Sequence, residues 1–212
     1  QLITESFLKT AIRAPSRFSL PPSSMRIALE QMCKLFPQDK TVQIRSLRLA
    51  GLRAEEIKPQ QESTQLIFHI HGGAFYLGSL NTHRAFMTQI AARTQMQVLH
   101  VDYPLSPESA YPEALEALFD VYNLLLDQGV QAKDIILSGD SCGANLALAL
   151  ALKIQQESLP QVSGLILLSP LLLFPLHRFH PVLQPLLLLP VLCLTEHHGT
   201  SSYLYLQEYV YR

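Results

Sequence analysis

The stretch that most constrains this chain runs from Asp134 to Leu152, DIILSGDSCGANLALALAL. A short apolar run, Ile135-Ile136-Leu137, stops at Ser138-Gly139. Beyond Ser141 it gives way to an alanine- and leucine-rich segment with no proline or glycine after Gly143. The pattern predicts a strand, a tight turn and a helix. Gly139 and Gly143 flank Ser141 as G-x-S-x-G, in which small neighbours let a serine occupy a strained strand-to-helix corner with its hydroxyl exposed. A helix opening at Cys142 would point its free N–H groups and positive dipole end toward an oxyanion beside Ser141. The simpler use of such a turn is capping, with Asp140 or Ser141 bonding the first helical amides.

A second element upstream raises the chemical reading above the simpler one. A strand candidate, Leu66 to Ile70, ends in His71-Gly72-Gly73-Ala74-Phe75. When a nucleophile adds to a carbonyl, negative charge collects on the former carbonyl oxygen. Backbone N–H groups aimed at it stabilise the transition state by about 3 kcal/mol per donor. Gly72 and Gly73 let the backbone approach a substrate closely, and Ala74 donates through its N–H as well as a glycine would. Two glycines after a buried strand also make an ordinary turn. With the serine corner following in the chain order expected for acyl transfer, the two elements read as halves of one site.

Between and around them the chain alternates strand and helix, which predicts an α/β fold with a mainly parallel sheet flanked by helices. Strand candidates are Leu66 to Ile70, Gln97 to Val101, Ile135 to Ser138 and Gly164 to Leu168. The best-formed helix runs from Tyr111 to Gln128, with Pro112 at its first position, Leu115, Leu118, Tyr122 and Leu125 on one face, and Gly129 as its stop. Earlier, Thr41 to Lys58 reads as a hairpin turning at Gly51, its second arm a pair of shorter strands. Residues 1–40 read as two cap helices, Leu2 to Arg13 and Ser24 to Phe36, the second capped by Ser23 or Ser24 and carrying an apolar stripe of Ile27, Leu29, Met32, Leu35 and Phe36. Three regions follow: cap helices at 1–40, an α/β core at 41–170, and an atypical tail at 171–212.

Composition narrows the function classes. The 212 residues are 48% apolar and 16% charged, with a net charge of -1, so no basic surface for nucleic acid is expected. Cys33, Cys142 and Cys193 are odd in number and far apart, which fits a reducing, cytoplasmic setting better than a disulfide framework. Thr4, Glu5 and Lys9 interrupt the first apolar residues, against a signal peptide.

The remaining polar groups near the two motifs have structural roles as their simplest use. His71 is expected to hold the glycine loop rather than act as a base, because in this architecture the histidine of the triad follows the serine and the acid. His83 is expected to tie the loop from the other side. His69 and His100 read as strand residues with satisfied partners. Asp102 and Glu108 lie in VDYPLSPE, whose two prolines make a rigid loop supporting the glycine loop. Asp140 reads as a turn or partner group rather than as the acid of a triad.

These residues resemble the hormone-sensitive-lipase branch of the α/β-hydrolases, the G-D-x-G esterases, from about Arg45 to Pro170. The motifs are LIFHIHGGAFYLGSLNTHR from Leu66, DYPLSPE from Asp102 and ILSGDSCGAN from Ile136. The resemblance implies that Ser141 is a nucleophile and that Gly72, Gly73, Ala74 and Cys142 border an oxyanion hole. It also implies a small-molecule carboxylic ester as substrate, commonly of short acyl chain, and no cofactor. Cys142 stands where alanine is usual, which is harmless if only its N–H is used and leaves the thiol open to oxidation.

The tail departs from the resemblance. No aspartate follows Asp140, whereas the family carries an Asp-Pro-x-x-Asp-like acid motif and a later histidine. From Leu171 leucine, proline and histidine dominate, and Pro175, Pro181, Pro185 and Pro190 break any period. These prolines, with His177, Arg178 and His180, argue against a membrane span. His177/His180 and His197/His198 lack the cysteine or carboxylate partners of a zinc site. Glu196 with His197 or His198 follows a strand-like PVLCLT, but adjacent strand residues face opposite ways. The tail is therefore expected to be a truncation or frame-shift product, and a non-catalytic, ligand-binding remnant of the fold is the second functional reading.

Overall fold

A computed structural model of the chain describes residues 21–170 in full and the backbone of two further strands at 191–197 and 200–205. The strands are β1 (Gln43–Leu49), β2 (Leu52–Lys58), β3 (Leu66–Ile70), β4 (Gln97–Val101), β5 (Ile135–Asp140), β6 (Gly164–Leu168), β7 (Val191–His197) and β8 (Thr200–Tyr205). The helices are α1 (Pro22–Cys33), α2 (Leu80–Thr94), α3 (Glu113–Asp127) and α4 (Cys142–Gln156). All eight strands join one sheet in the order β1-β2-β4-β3-β5-β6-β7-β8. From β4 to β7 every pairing is parallel, and the edge pairings β1/β2, β2/β4 and β7/β8 are antiparallel.

Strand β3 is buried along its whole length, as a central parallel strand covered on both faces must be. Its alternate residues serve different layers. Phe68 and Ile70 pack with Leu118, Tyr122, Leu150 and Ile154 of α3 and α4, while Ile67 packs with Met87 and Ala91 of α2. The expected face of α3 is the buried one, joined by Val121. That helix starts two residues later than the sequence pattern predicts, and Pro112 takes the cap position outside it. Its end follows the expected glycine: Gly129 has φ +89°, its N–H bonds Leu126 O and the next N–H bonds Leu125 O, a double closure of the last turn.

Four expectations change. The second arm of the hairpin is one seven-residue strand, because β2 finds continuous partners in both β1 and β4. Helix α1 begins at Pro22, with Pro21 as its cap and no side-chain cap bond, so neither Ser23 nor Ser24 caps it. Its apolar stripe is not a core face either: no α1 residue is buried, and Ile27 is 63% exposed. The strand expected after Pro190 continues to His197 and pairs in parallel with β6, and β8 returns beside it. Loss of periodicity from Leu171 concealed β8, since the backbone pairing needs no alternation of side chains. The first cap helix, Leu2 to Arg13, and the histidines at 177, 180 and 198 lie outside the described residues. Among the described residues no helix is long and apolar enough to cross a membrane, and no group of His, Cys, Asp and Glu could hold a metal ion.

Candidate active site

The corner between β5 and α4 is strained as a G-x-S-x-G turn predicts. Ser141 has φ 51° and ψ -118°, a conformation that side-chain-bearing residues seldom adopt. Its side chain makes no cap hydrogen bond, so the simpler capping use of this serine is not realised, and the residue is partly exposed. The corner is held instead by the backbone, Ser141 N–H donating to Leu168 O of β6 at 2.8 Å. Gly143 is required by close approach. An added Cβ there would collide with the carbonyls of Ile70 and His71, so α4 lies directly against the end of β3.

The glycine loop leaves β3 at the same sheet edge, because β3 and β5 are parallel neighbours with Ile70 opposite Gly139. Gly73 has φ +128°, and Ala74 and Phe75 follow at φ 54° and 68°, three consecutive residues in the left-handed half of the map. Such strain persists only where the surroundings over-determine it. Here Phe75 N–H donates to the Cys142 sulfur at 3.2 Å, Ser106 N–H to Phe75 O at 2.8 Å, and Leu77 N–H to Gly73 O at 2.8 Å. The Cys142 side chain thus joins the two corners. Burial pushes its thiol pKa up, which makes oxidation less favourable than the sequence implies.

Behind the loop, Asp140 gathers the polar groups. Its Oδ1 accepts from Gly72 N–H at 2.8 Å and lies 3.3 Å from His69 Nε2 and 3.4 Å from His83 Nε2. Burial opposes ionisation of this carboxyl, but the imidazole contacts outweigh it and hold the group well below the usual carboxylate range. The Gly72 N–H is thus committed to Asp140, and of the four expected oxyanion donors Gly73, Ala74 and Cys142 are left. Asp140→Asn keeps an acceptor for Gly72 but exchanges charged hydrogen bonds for neutral ones. It is expected to lower stability by about 1–2 kcal/mol, read from urea denaturation at neutral pH.

His71 is almost wholly buried and donates from Nδ1 to Gly72 O at 2.8 Å, which fixes its tautomer, since a carbonyl only accepts. Its ring stacks on Tyr103 at 4.3 Å, and Tyr103 O–H donates to His71 O at 2.7 Å. These contacts set His71 against the glycine loop and against Tyr103 after β4. Asp102 accepts from Leu80 N–H at the start of α2 and pairs with Arg53. Glu108 does not reach the glycine loop. It pairs with Arg26 of α1, which in turn bonds Tyr76 O and Ser106 O.

His69 is the expected strand residue, with Ser138 and Asp140 as its partners. Sequence reasoning missed Tyr103 and Arg26. Nothing in the sequence marks Arg26, whose partners lie fifty and eighty residues away. None of His69, His71, His83 and His100 bonds the Ser141 hydroxyl: they engage Ser138, Gly72, Thr82 and Glu55. Glu196 and His197 sit at the end of β7, on the sheet edge where Ser141 lies, since β5, β6 and β7 run parallel.

Comparison with known proteins bears on the fold and the family. The family described as the alpha/beta hydrolase fold matches residues 67–184, running past the composition change at Leu171. An esterase of Acinetobacter venetianus is 66% identical over 169 residues, covering 80% of this chain and 56% of its own length. The crystal structure of an esterase from the bacterial hormone-sensitive lipase family superposes with a TM-score of 0.69 at 31% identity, covering 71% of this chain and 51% of that one. The esterase EstE5, in a crystal soaked with p-nitrophenyl butyrate, does so with a TM-score of 0.67 at 33% identity and the same coverage, 71% and 51%. This chain spans about half the length of the relatives it matches. On the matched half, with the serine corner and glycine loop on one edge of a mainly parallel sheet, it belongs to the alpha/beta hydrolase fold family, on its hormone-sensitive-lipase-like branch.

Proposed function

We propose that this chain carries the nucleophile and oxyanion half of a serine carboxylesterase. The Ser141 oxygen attacks the carbonyl carbon of an ester while its proton passes to a general base. The negative oxygen that forms is held by N–H groups of Gly73, Ala74 and Cys142. Collapse expels the alcohol, which takes up the proton, and leaves an acyl group on Ser141. Water then repeats the sequence and releases the acid. The observation that carries the reading is the strained, uncapped Ser141 joined to the glycine loop through Cys142 and Phe75. In this reading the base and its orienting acid come from outside the residues described in full.

The substrate class is carboxylic esters of short acyl chain. The soak of the EstE5 crystal with p-nitrophenyl butyrate, in a relative 33% identical, supports this class. A fluorophosphonate probe tests the nucleophile directly, because it reacts with an activated serine and leaves a covalent label. Labelling is expected on the peptide containing Ser141 and is expected to vanish in Ser141→Ala. Folded wild-type chain that takes up no label would instead favour the non-catalytic, ligand-binding reading.

A further inference from the structure

Helix α1 buries none of its residues fully, and polar side chains tie it to the core. A twelve-residue helix is marginal without tertiary support, so its few anchors decide where it sits. One side chain makes most of them. Arg26 donates from Nε to Tyr76 O at 2.8 Å, from one terminal nitrogen to Ser106 O at 2.7 Å and Glu108 Oε2 at 2.8 Å, and from the other to Glu108 Oε1 at 2.9 Å. Glu30, one turn on, accepts from Ser79 Oγ at 2.8 Å. The planar guanidinium thus spans two loops that no other side chain of α1 bridges, and its fork geometry suits that task better than an ammonium would.

Both loops lead to the strained backbone. Tyr76 directly follows Phe75, and the N–H of Ser106 donates to Phe75 O. Phe75 N–H in turn meets the Cys142 sulfur. The path from Arg26 to the amides beside Ser141 is therefore three links long, and it grips a segment with positive φ at Gly73, Ala74 and Phe75. The ion pair with Glu108 is exposed and adds little by charge. What Arg26 supplies is the relative placement of residues 73–79 and 103–108.

We propose that Arg26 is a positioning residue for the oxyanion loop: by joining Tyr76, Ser106 and Glu108 it makes the seating of α1 set the aim of the Gly73 and Ala74 amides. This rests on the esterase reading for its catalytic consequence but not for its structural one. The test uses the full chain with Arg26→Met and Arg26→Lys, the second keeping charge while losing the fork. Amide hydrogen exchange of Tyr76 and Leu77, whose N–H groups both bond Gly73 O, is expected to speed up roughly five- to tenfold in both variants, the weight of one or two lost hydrogen bonds. Strand β5 should keep its rates. Hydrolysis of p-nitrophenyl acetate is expected to lose about 10- to 100-fold in kcat with KM within twofold, as for a misaimed oxyanion donor.

Unchanged exchange at 73–78 would overturn the proposal. So would equal acceleration in β5, which marks a merely stabilising contact, or local acceleration with kcat intact. A wild-type chain that neither labels nor hydrolyses ester would defeat the esterase reading alone, while the exchange comparison still decides the joint.

Discussion

Gly143→Ala is expected to cost about 3 kcal/mol of folding stability, the upper end of what overpacking removes. The added Cβ would lie 2.5 Å from His71 O and closer still to Ile70 O. Both obstacles are backbone atoms at the end of a fully buried strand, so no rotamer change relieves them. Helix α4 must lift from β3, and that movement also parts the Cys142 sulfur from Phe75 N–H. Loss of fluorophosphonate labelling should therefore accompany the loss of stability. A control separates crowding from backbone strain. Gly51, at φ +82°, has nothing within 4 Å of an added Cβ, so Gly51→Ala should cost only about 1–2 kcal/mol, the left-handed penalty. In a chain of this size the Gly143 loss corresponds to a Tm lower by about 6–12 °C. Equal melting temperatures for Gly143→Ala and wild type would mean that α4 does not sit against β3 as described.

The same position explains why the site was legible in the sequence. Gly139, Ser141 and Gly143 carry their meaning locally: the strand, the turn and the helix are consecutive, and each glycine answers a contact within the motif or with the neighbouring strand. The parallel strands at 66–70 and 97–101 were equally plain, because apolar runs bounded by turn residues need no long-range information. Features that depend on distant partners were not legible. The stripe of α1 promised a buried face, yet the helix is held by Arg26 reaching across fifty and eighty residues. Gly72 belonged to the expected oxyanion loop, but Asp140, on another strand, takes its N–H. Strand β7 was marked by the strand-like PVLCLT, but β8 is defined by the edge it extends, and nothing local announces it.

Acid is expected to destabilise this chain well before its carboxylates are protonated, because its buried histidines cannot charge. Burial first, and then the nearby His83, hold His71 down to about 3 against an ordinary 6.5. The groups that face it are His83 from α2, Asp140 from β5, His69 on its own strand and Tyr103 from the loop after β4. Between pH 6.5 and 3 the unfolded chain binds a proton at this residue and the native chain does not. Stability therefore falls as pH falls through that window, by about 1.4 kcal/mol per unit from His71 alone. His69 and His100 are shifted the same way, again chiefly by burial, and steepen the fall. Carboxylates act lower down. Glu55 is also penalised by burial, but bonds from His100 and Arg84 hold it to about 2 against 4.5, so its contribution is complete above 4.5 and disappears toward 2. The measurement is the urea midpoint from pH 8 to pH 5. It should be level above about 6.5 as far as these groups are concerned, then drop by at least ~2 kcal/mol by pH 5. His71→Gln should be less stable at pH 8, having lost the bond to Gly72 O, yet show a slope shallower by about 1.4 kcal/mol per unit. A wild-type midpoint that stays flat to pH 5 would show that water reaches these imidazoles, and with it that the glycine loop is not sealed against β3.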